Sequence, residues 1–424
     1  MKAIRGRLLT YRPAPVHEDD GLIVVSGGKI TAVGPAQKLI PDLPPGTPIE
    51  DHSGKLILPG FIDLHIHLPQ TRVIASYGAQ LMEWLERYTF VEEARYADPA
   101  VAEDGAKFFL DELFRNGTTT AVVYGSVHPQ SVEAFFTESA ARGAGMIAGK
   151  VMMDRGAPDE LRDTARSSYD HSKALIKRWH GRDRQRYAVT PRFAITSTPA
   201  QLEVAGTLLA EHPGVYLQTH LSENQAEIDL ARSLFPGAED YAGIYAQFGL
   251  LGSRSLLGHC LHLSPREQER LAETRSVAVL CPTSNLFLGS GLADRGALNA
   301  NGIRTGLATD VGAGTSYSML RTAAEAYKVE QLRGRSLPAH DAFRWITRGN
   351  AEALGLGDEI GSIEVGRYAD LVVLDSSATP AMAHRMERCE SLEEELFVLL
   401  TLGDDRAVAA TYVQGESRIS SSEA

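Results

Sequence analysis

The sequence predicts an α/β fold: a (β/α)8, TIM-like barrel with a small β-sandwich domain formed by both chain ends. Three observations predict it. Apolar, β-rich stretches recur eight times between residues 56 and 312, helical segments lie between most of them, and short β-like runs occur at both ends of the chain. A closed parallel barrel requires that alternation, and strands buried on both faces read as nearly continuous apolar runs. An open doubly wound sheet is the rival architecture, but it leaves fewer strands and offers no reason for eight.

The N-terminal β pieces include VVSGGKITAVG, and the Pro- and Gly-rich run at 40–48 reads as a loop. A similar texture returns at GSIEVGRYADLVVLD (361–375) and at VAATYVQGES (408–417). The division expected is therefore 1–58 and 359–424 for the two parts of the small domain, with 59–358 as the barrel. The eight barrel runs are LILPGFIDLH (56–65), TTTAVVYG (118–125), GMIAGKVMM (145–153), RYAVTPRF (186–193), VYLQTHLSE (215–223), SLLGHCLH (255–262), SVAVLCPTSN (276–285) and IRTGLATDVG (303–312). Helices are expected in 99–117, 128–143, 199–214, 264–275 and 316–332. In the first of these, Val101, Phe108 and Leu113 suggest an apolar stripe, and Gly117 supplies a stop.

The chain has 424 residues, 43% hydrophobic and 23% charged, which argues against disorder and fibrous repeats. Its formal charge of -12 repels nucleic-acid backbones and anionic membranes, but a free nucleobase carries no phosphate and is not excluded. The apolar stretch after the basic N-terminal residues is too short for a signal peptide, and no apolar run is long enough to span a bilayer. Cys260, Cys281 and Cys389 form no Cys-x-x-Cys pair, so a reducing, cytoplasmic setting is expected. Walker loops, Gly-x-Gly-x-x-Gly fingerprints and Gly-x-Ser-x-Gly elbows are absent.

The functional signal lies in where polar residues fall. In almost every run the apolar part comes first and a His, Asp, Glu, Arg or Cys ends it, and a barrel gathers such ends onto one rim. His65 and His67 share a side on extended backbone and can reach one borderline ion such as zinc or iron. His220, His259 and Asp310 end three other runs. A surface histidine pair or a hydrogen-bonded core histidine is the bland reading of each alone. Buried together, these groups require partners, which a metal supplies. Asp63 reads as an orienting or turn residue, and His262 as facing a loop. The fourth run ends in Arg192-Phe193 and contains no lysine to carry a bridging carbamate, so one metal is preferred to two.

PGFIDLHIH with Gln70, HLSEN (220–224), SLLGHC (255–260) and LATDVG (307–312) resemble the amidohydrolase superfamily, in its mononuclear nucleobase-deaminase branch. IHLPQ (66–70), Arg192-Phe193 within VTPRFAITST, and LMEWLERYTFVEEARY (81–96), similar to a WL-x-x-YTF-x-x-E segment, narrow the resemblance to the guanine-deaminase family. That resemblance implies one divalent ion per chain, Zn²⁺ ahead of Fe²⁺, held by His65, His67, His220 and Asp310. It implies His259 as a hydrogen-bond partner of the metal's water, Glu223 as proton shuttle, and Asp310 as a participant in catalysis. Gln70, Arg192 and Phe193 would bind a small purine base, the reaction would deaminate guanine, and the chain would form a homodimer.

Bland alternatives stand beside these roles: a helix-start carboxylate for Glu223, a loop amide for Gln70, a helix C-cap for Arg192 and core packing for Phe193. The segment MEWLERYTF would cover the rim or pack on the barrel or a partner subunit. Rival functions are a deaminase of cytosine, a triazine or an adenosine-like compound, a two-metal cyclic amidase, and a non-enzymatic barrel.

Overall fold

The computed structural model describes residues 1–12, 14–78 and 80–420. Eight successive positions of a parallel sheet are filled by Phe61–His67, Thr118–Tyr124, Ile147–Gly149, Arg186–Pro191, Tyr216–Leu221, Ser255–His259, Val277–Leu280 and Arg304–Leu307, each beside its sequence neighbour. The first two strands are buried along their whole length, as strands between a barrel core and a ring of helices must be.

The first and last strands meet across a seam. The Asp310 N–H donates to the His65 carbonyl at 2.9 Å, and the His67 N–H donates to the Val311 carbonyl at 2.8 Å. Lower down, the buried Asn350 amide donates to the carbonyls of Ile62 and Leu307 at 2.7 and 2.9 Å and accepts from the Leu307 N–H at 3.0 Å. Beneath the rim, Ile62 and Leu64 pack with Val122, Ile147, Tyr216 and Leu256 in a dry plug.

Both chain ends build one seven-stranded sheet. Its order runs Glu416–Ser420, Val408–Val413, Leu371–Leu374, Ile49–Pro59, Lys2–Arg12, Ala14–Ser26, Lys29–Pro35. N- and C-terminal segments join where Leu371–Leu374 pairs antiparallel with Leu56–Pro59. Arg184, before the fourth barrel strand, ties this sheet to the barrel by pairing with buried Asp370, at 3.1 Å through Nη1, and by lying 3.9 Å over the Tyr368 ring.

Several local features differ from expectation. The third run divides into Ile147–Gly149 and Val151–Met152 around Lys150, a fully buried lysine that pairs with Asp163. A helix at Ala165–Trp179, opened by a Thr164–Ser167 capping box and burying Ser168, Ser172, Leu175, Ile176 and Trp179 along one face, is not anticipated. In Pro99–Arg115 the buried face is Ala102, Ala106, Phe109 and Leu113, while Phe108 is 53% exposed. Of the stripe read there, Leu113 is buried and Val101 packs against the core, but Phe108 gives way to its neighbour Phe109, which lies on the buried face. Helices Pro380–Met386 and Leu392–Leu402 interrupt the β texture of the C-terminal part. Among the described residues, no helix is long and apolar enough to cross a membrane.

Candidate active site and metal centre

The barrel delivers its polar residues to one rim. His65 and His67 close the first strand, His220 lies one residue from the end of the fifth, His259 ends the sixth, and Asp310 follows the eighth by three residues. The ladder to the second strand slips between Asp63 and Ile66, where the Asp63 carboxylate accepts the His65 N–H at 3.1 Å. Such irregularities re-aim side chains at strand ends. Ser222, His259, Cys260 and Asp310 hold positive φ of 53°, 71°, 53° and 54°. Non-glycine residues avoid that region, so backbone strain is concentrated where the side chains converge.

Ligand atoms of His65, His67 and His220 lie within 4.8 Å of one another, as do those of His65, His259 and Asp310. His65 Nε2 is 3.1 Å from His67 Nε2, and Asp310 Oδ1 is 3.3 and 3.2 Å from these two nitrogens. His220 donates from Nδ1 to the Arg192 carbonyl at 2.7 Å, leaving the Nε2 lone pair free. Gly258 makes room for the cluster: a Cβ there would sit 2.7 Å from His65 Cε1. Asp63 is an orienting group, accepting from the Thr309 N–H at 3.2 Å and from the Thr309 hydroxyl, and burial pushes its pKa up to about 6. His262 meets the Ser290 carbonyl at 2.9 Å and belongs to neither group of converging ligand atoms.

Electrostatics suit a cation. Burial lowers the pKa of His65 and pushes that of His67 down to about 3, and burial with the neighbouring histidines holds His220 well below its ordinary value. Burial would raise Asp310, but hydrogen bonds with His65 and His67 reverse it and keep the carboxylate well below the usual range. Neutral imidazoles and an ionised carboxylate are the forms that bind metal. Two imidazole nitrogens facing each other at 3.1 Å beside the Asp310 carboxylate, with His220 Nε2 free, fit one ion in an N₃O site.

A narrow cleft opens on this group. Gln70, Arg192, Phe193, His220, Glu223, His259 and Asp310 line it, joined by Leu81, Trp84 and Leu85 from the segment after the first strand. That segment both lines the cleft and packs on the barrel, since Leu81, Trp84 and Leu85 are buried in the main core. His259 presents Nε2 to Glu223 Oε2 at 3.3 Å while Nδ1 donates to Asn285 Oδ1 at 2.9 Å. Burial and the charge of Asp310 push Glu223 up to about 8. Glu223 does not cap the following helix: Asn224 is the N-cap, in a capping box with Glu227. The Phe193 ring is 3% exposed and lies 5.7 Å from the His220 ring, so it both packs and lines the cleft.

Two site residues escape sequence reasoning. Asn285 is visible only as the tail of the seventh run. Glu93 ends the WL-x-x-YTF-x-x-E string, yet no spacing rule places it against Arg192, 99 residues away, at 2.8 and 2.9 Å.

The family model described as the amidohydrolase family matches residues 56–418. The chain belongs to the amidohydrolase family. This amidohydrolase is 48% identical over 397 residues to the guanine deaminase of Escherichia coli strain K12, covering 94% of this chain and 90% of that one. The probable guanine deaminase of Deinococcus radiodurans is 39% identical over 430 residues, 98% of each chain. Among solved structures, E. coli guanine deaminase matches with a TM-score of 0.98 at 45% identity, covering 99% of this chain and 100% of that one. The guanine deaminase of C. acetobutylicum with guanine bound in its active site matches with a TM-score of 0.89 at 30% identity, covering 98% and 99%.

Proposed function

We propose that this amidohydrolase converts guanine and water into xanthine and ammonia. One observation carries the reading: a buried guanidinium and a buried amide, Arg192 and Gln70, share a cleft with the His/His/His/Asp group. Kinship with the E. coli enzyme supports the same substrate.

His65, His67, His220 and Asp310 would hold one divalent ion, and their mixed nitrogen and oxygen set favours Zn²⁺ with Fe²⁺ as the alternative. When bound, such an ion acidifies water toward neutrality. Glu223 takes one water proton and delivers it to ring N3 as the water oxygen bonds to C2. His259, fixed by Asn285, faces the water through Nε2 and, with both ring nitrogens protonated, donates from Nε2 to its oxygen during addition. Asp310 guides the second water proton to the amino group, the C2–N bond breaks, and ammonia departs. Arg192 donates to the base oxygen and Gln70 meets the neighbouring edge, while Phe193 flanks the ring. Lys150, the buried lysine of the third run, is committed to Asp163 and the Val151 carbonyl, which supports a single ion over a lysine-bridged pair. A homodimer acting on a free base belongs to the same reading through the family resemblance, and the free cysteines Cys260, Cys281 and Cys389 support a cytoplasmic setting.

Elemental analysis combined with an ammonia-release screen tests this. One metal per chain and ammonia from guanine, but not from adenine, cytosine or triazines, is expected. Release from one of the others in place of guanine would overturn the substrate, and two ions per chain would overturn the metal count.

A further inference from the structure

We infer that Glu93 is a positioning residue that tunes the site to uncharged, oxo-bearing heterocycles by holding Arg192 and Gln70 as one neutral frame. The inference rests on the reading of Arg192 and Gln70 as substrate-binding groups. Glu93 is fully buried and accepts three hydrogen bonds from them: two from Arg192 Nη1, at 2.9 and 2.8 Å, and one from Gln70 Nε2 at 2.9 Å. Gln70 is pinned from its other end, since Oε1 accepts the Gly312 N–H at 3.1 Å. Its amide orientation is thereby fixed, with one N–H and one lone pair left for a ligand. Among the described residues, the hydrogen bonds of the Arg192 guanidinium run through Nη1 alone, so its other nitrogens remain as donors beside the cleft.

Charge gives this frame its selectivity. A lone guanidinium, 2% exposed as a residue, would draw an anion into the cleft; paired with Glu93 it presents directed N–H donors with no net charge. A lactam oxygen can accept those donors, whereas a purine anion meets the Glu93 carboxylate behind them. Glu93 also belongs to the covering segment, Phe90–Ala94 following Leu81–Trp84. Its backbone carbonyl accepts from Ser126 Oγ at 3.1 Å. Docking of that segment and assembly of the recognition frame are therefore one event.

The test compares wild type, Glu93→Gln, Glu93→Asp and the double variant Glu93→Gln with Arg192→Gln. Affinities for hypoxanthine, an uncharged oxopurine, and urate, a monoanion at neutral pH, are measured by calorimetry at one pH. In Glu93→Gln, KM for guanine should rise at least about tenfold with a smaller change in kcat. The affinity ratio of urate to hypoxanthine should rise at least about tenfold, while metal content is unchanged. Glu93→Asp, which keeps the charge, should hold the ratio near that of wild type. The double variant is neutral again at this frame, so its ratio should return to within about threefold of wild type even if KM stays high. If a bare buried guanidinium unfolds Glu93→Gln, Arg192→Gln alone tests the same balance from the other side, because the unpaired Glu93 carboxylate should lower the ratio at least about tenfold below wild type. An unchanged ratio in Glu93→Gln, even with a lower melting temperature, would reduce Glu93 to a structural counter-ion and overturn the inference. So would a double variant whose ratio stays as high as that of Glu93→Gln. Failure of wild type to release ammonia from guanine would instead refute the proposed reaction, and failure to bind either purine would refute both.

Discussion

Glu223 and Asp310 approach the same His259 nitrogen, at 3.3 and 3.9 Å, yet their surroundings put them in opposite protonation regimes. Burial and the negative charge of Asp310 push Glu223 up to about 8, while its histidine partners hold Asp310 well below the carboxylate range. Two carboxyls driven apart in this way divide the work of proton carrier and fixed anion. The sign for activity follows. A raised pKa means that Glu223 gains its proton-accepting form only as pH rises, so kcat/KM should climb with pH through a limb above the ordinary glutamate value of about 4.3. The charge of a bound ion pulls that limb down from 8. Glu223→Gln should flatten the limb and cut turnover at least about a hundredfold with metal content intact. Retention of the limb at near wild-type turnover would remove Glu223 from proton transfer. At this scale the sequence was informative wherever a residue ended an apolar run. It was silent on Glu93, whose importance comes from a contact between a helix and a distant strand.

Strand ends, more than whole strands, shape the site. Gly258 and His259 illustrate it: the first leaves the space that His65 occupies, and the second turns through positive φ to face Glu223. A Cβ at 258 would lie 2.7 and 2.9 Å from two atoms of the His65 ring, and a ring bound into a metal cluster cannot yield as a flexible side chain would. Gly258→Ala should therefore lower metal affinity about 10- to 100-fold, comparable with loss of an orienting partner, while circular dichroism stays native. Full metal occupancy with normal affinity would show that His65 shifts without consequence. The barrel strands were legible because burial on both faces leaves long apolar runs, as in the fully buried Thr118–Tyr124. Elements that rely on capping or on ion pairs were not. Ala165–Trp179 opens with Thr164 and Ser167 and buries only a narrow strip, and the break at Lys150 depends on an aspartate thirteen residues away. Phe108 misled because two adjacent phenylalanines offer two phases, and only packing chooses Phe109.

Across the whole molecule, the proposed ion sits where the barrel closes. His65 and His67 belong to the first strand, Asp310 follows the last, and backbone hydrogen bonds of 2.9 and 2.8 Å join them. The seam also joins segments that leave for the small sheet, since Pro59 precedes the first strand by two residues and pairs there with Leu371. Three buried imidazoles and a carboxylate crowd together there, so an ion held by them would couple metal binding to folding. At free metal a thousandfold above Kd, one site adds about 4 kcal/mol to the native state. Chelation should thus lower the melting temperature by several degrees, and added Zn²⁺ should restore it. Hydrogen exchange should accelerate at 61–67 and 304–312 more than in Arg186–Pro191, which supplies no ligand. Uniform acceleration along the barrel would mean that the seam has no special dependence on the ion. An unchanged melting temperature after verified metal removal would mean that the donors are satisfied without one, and the coupling would then have to be abandoned at the level of the whole fold.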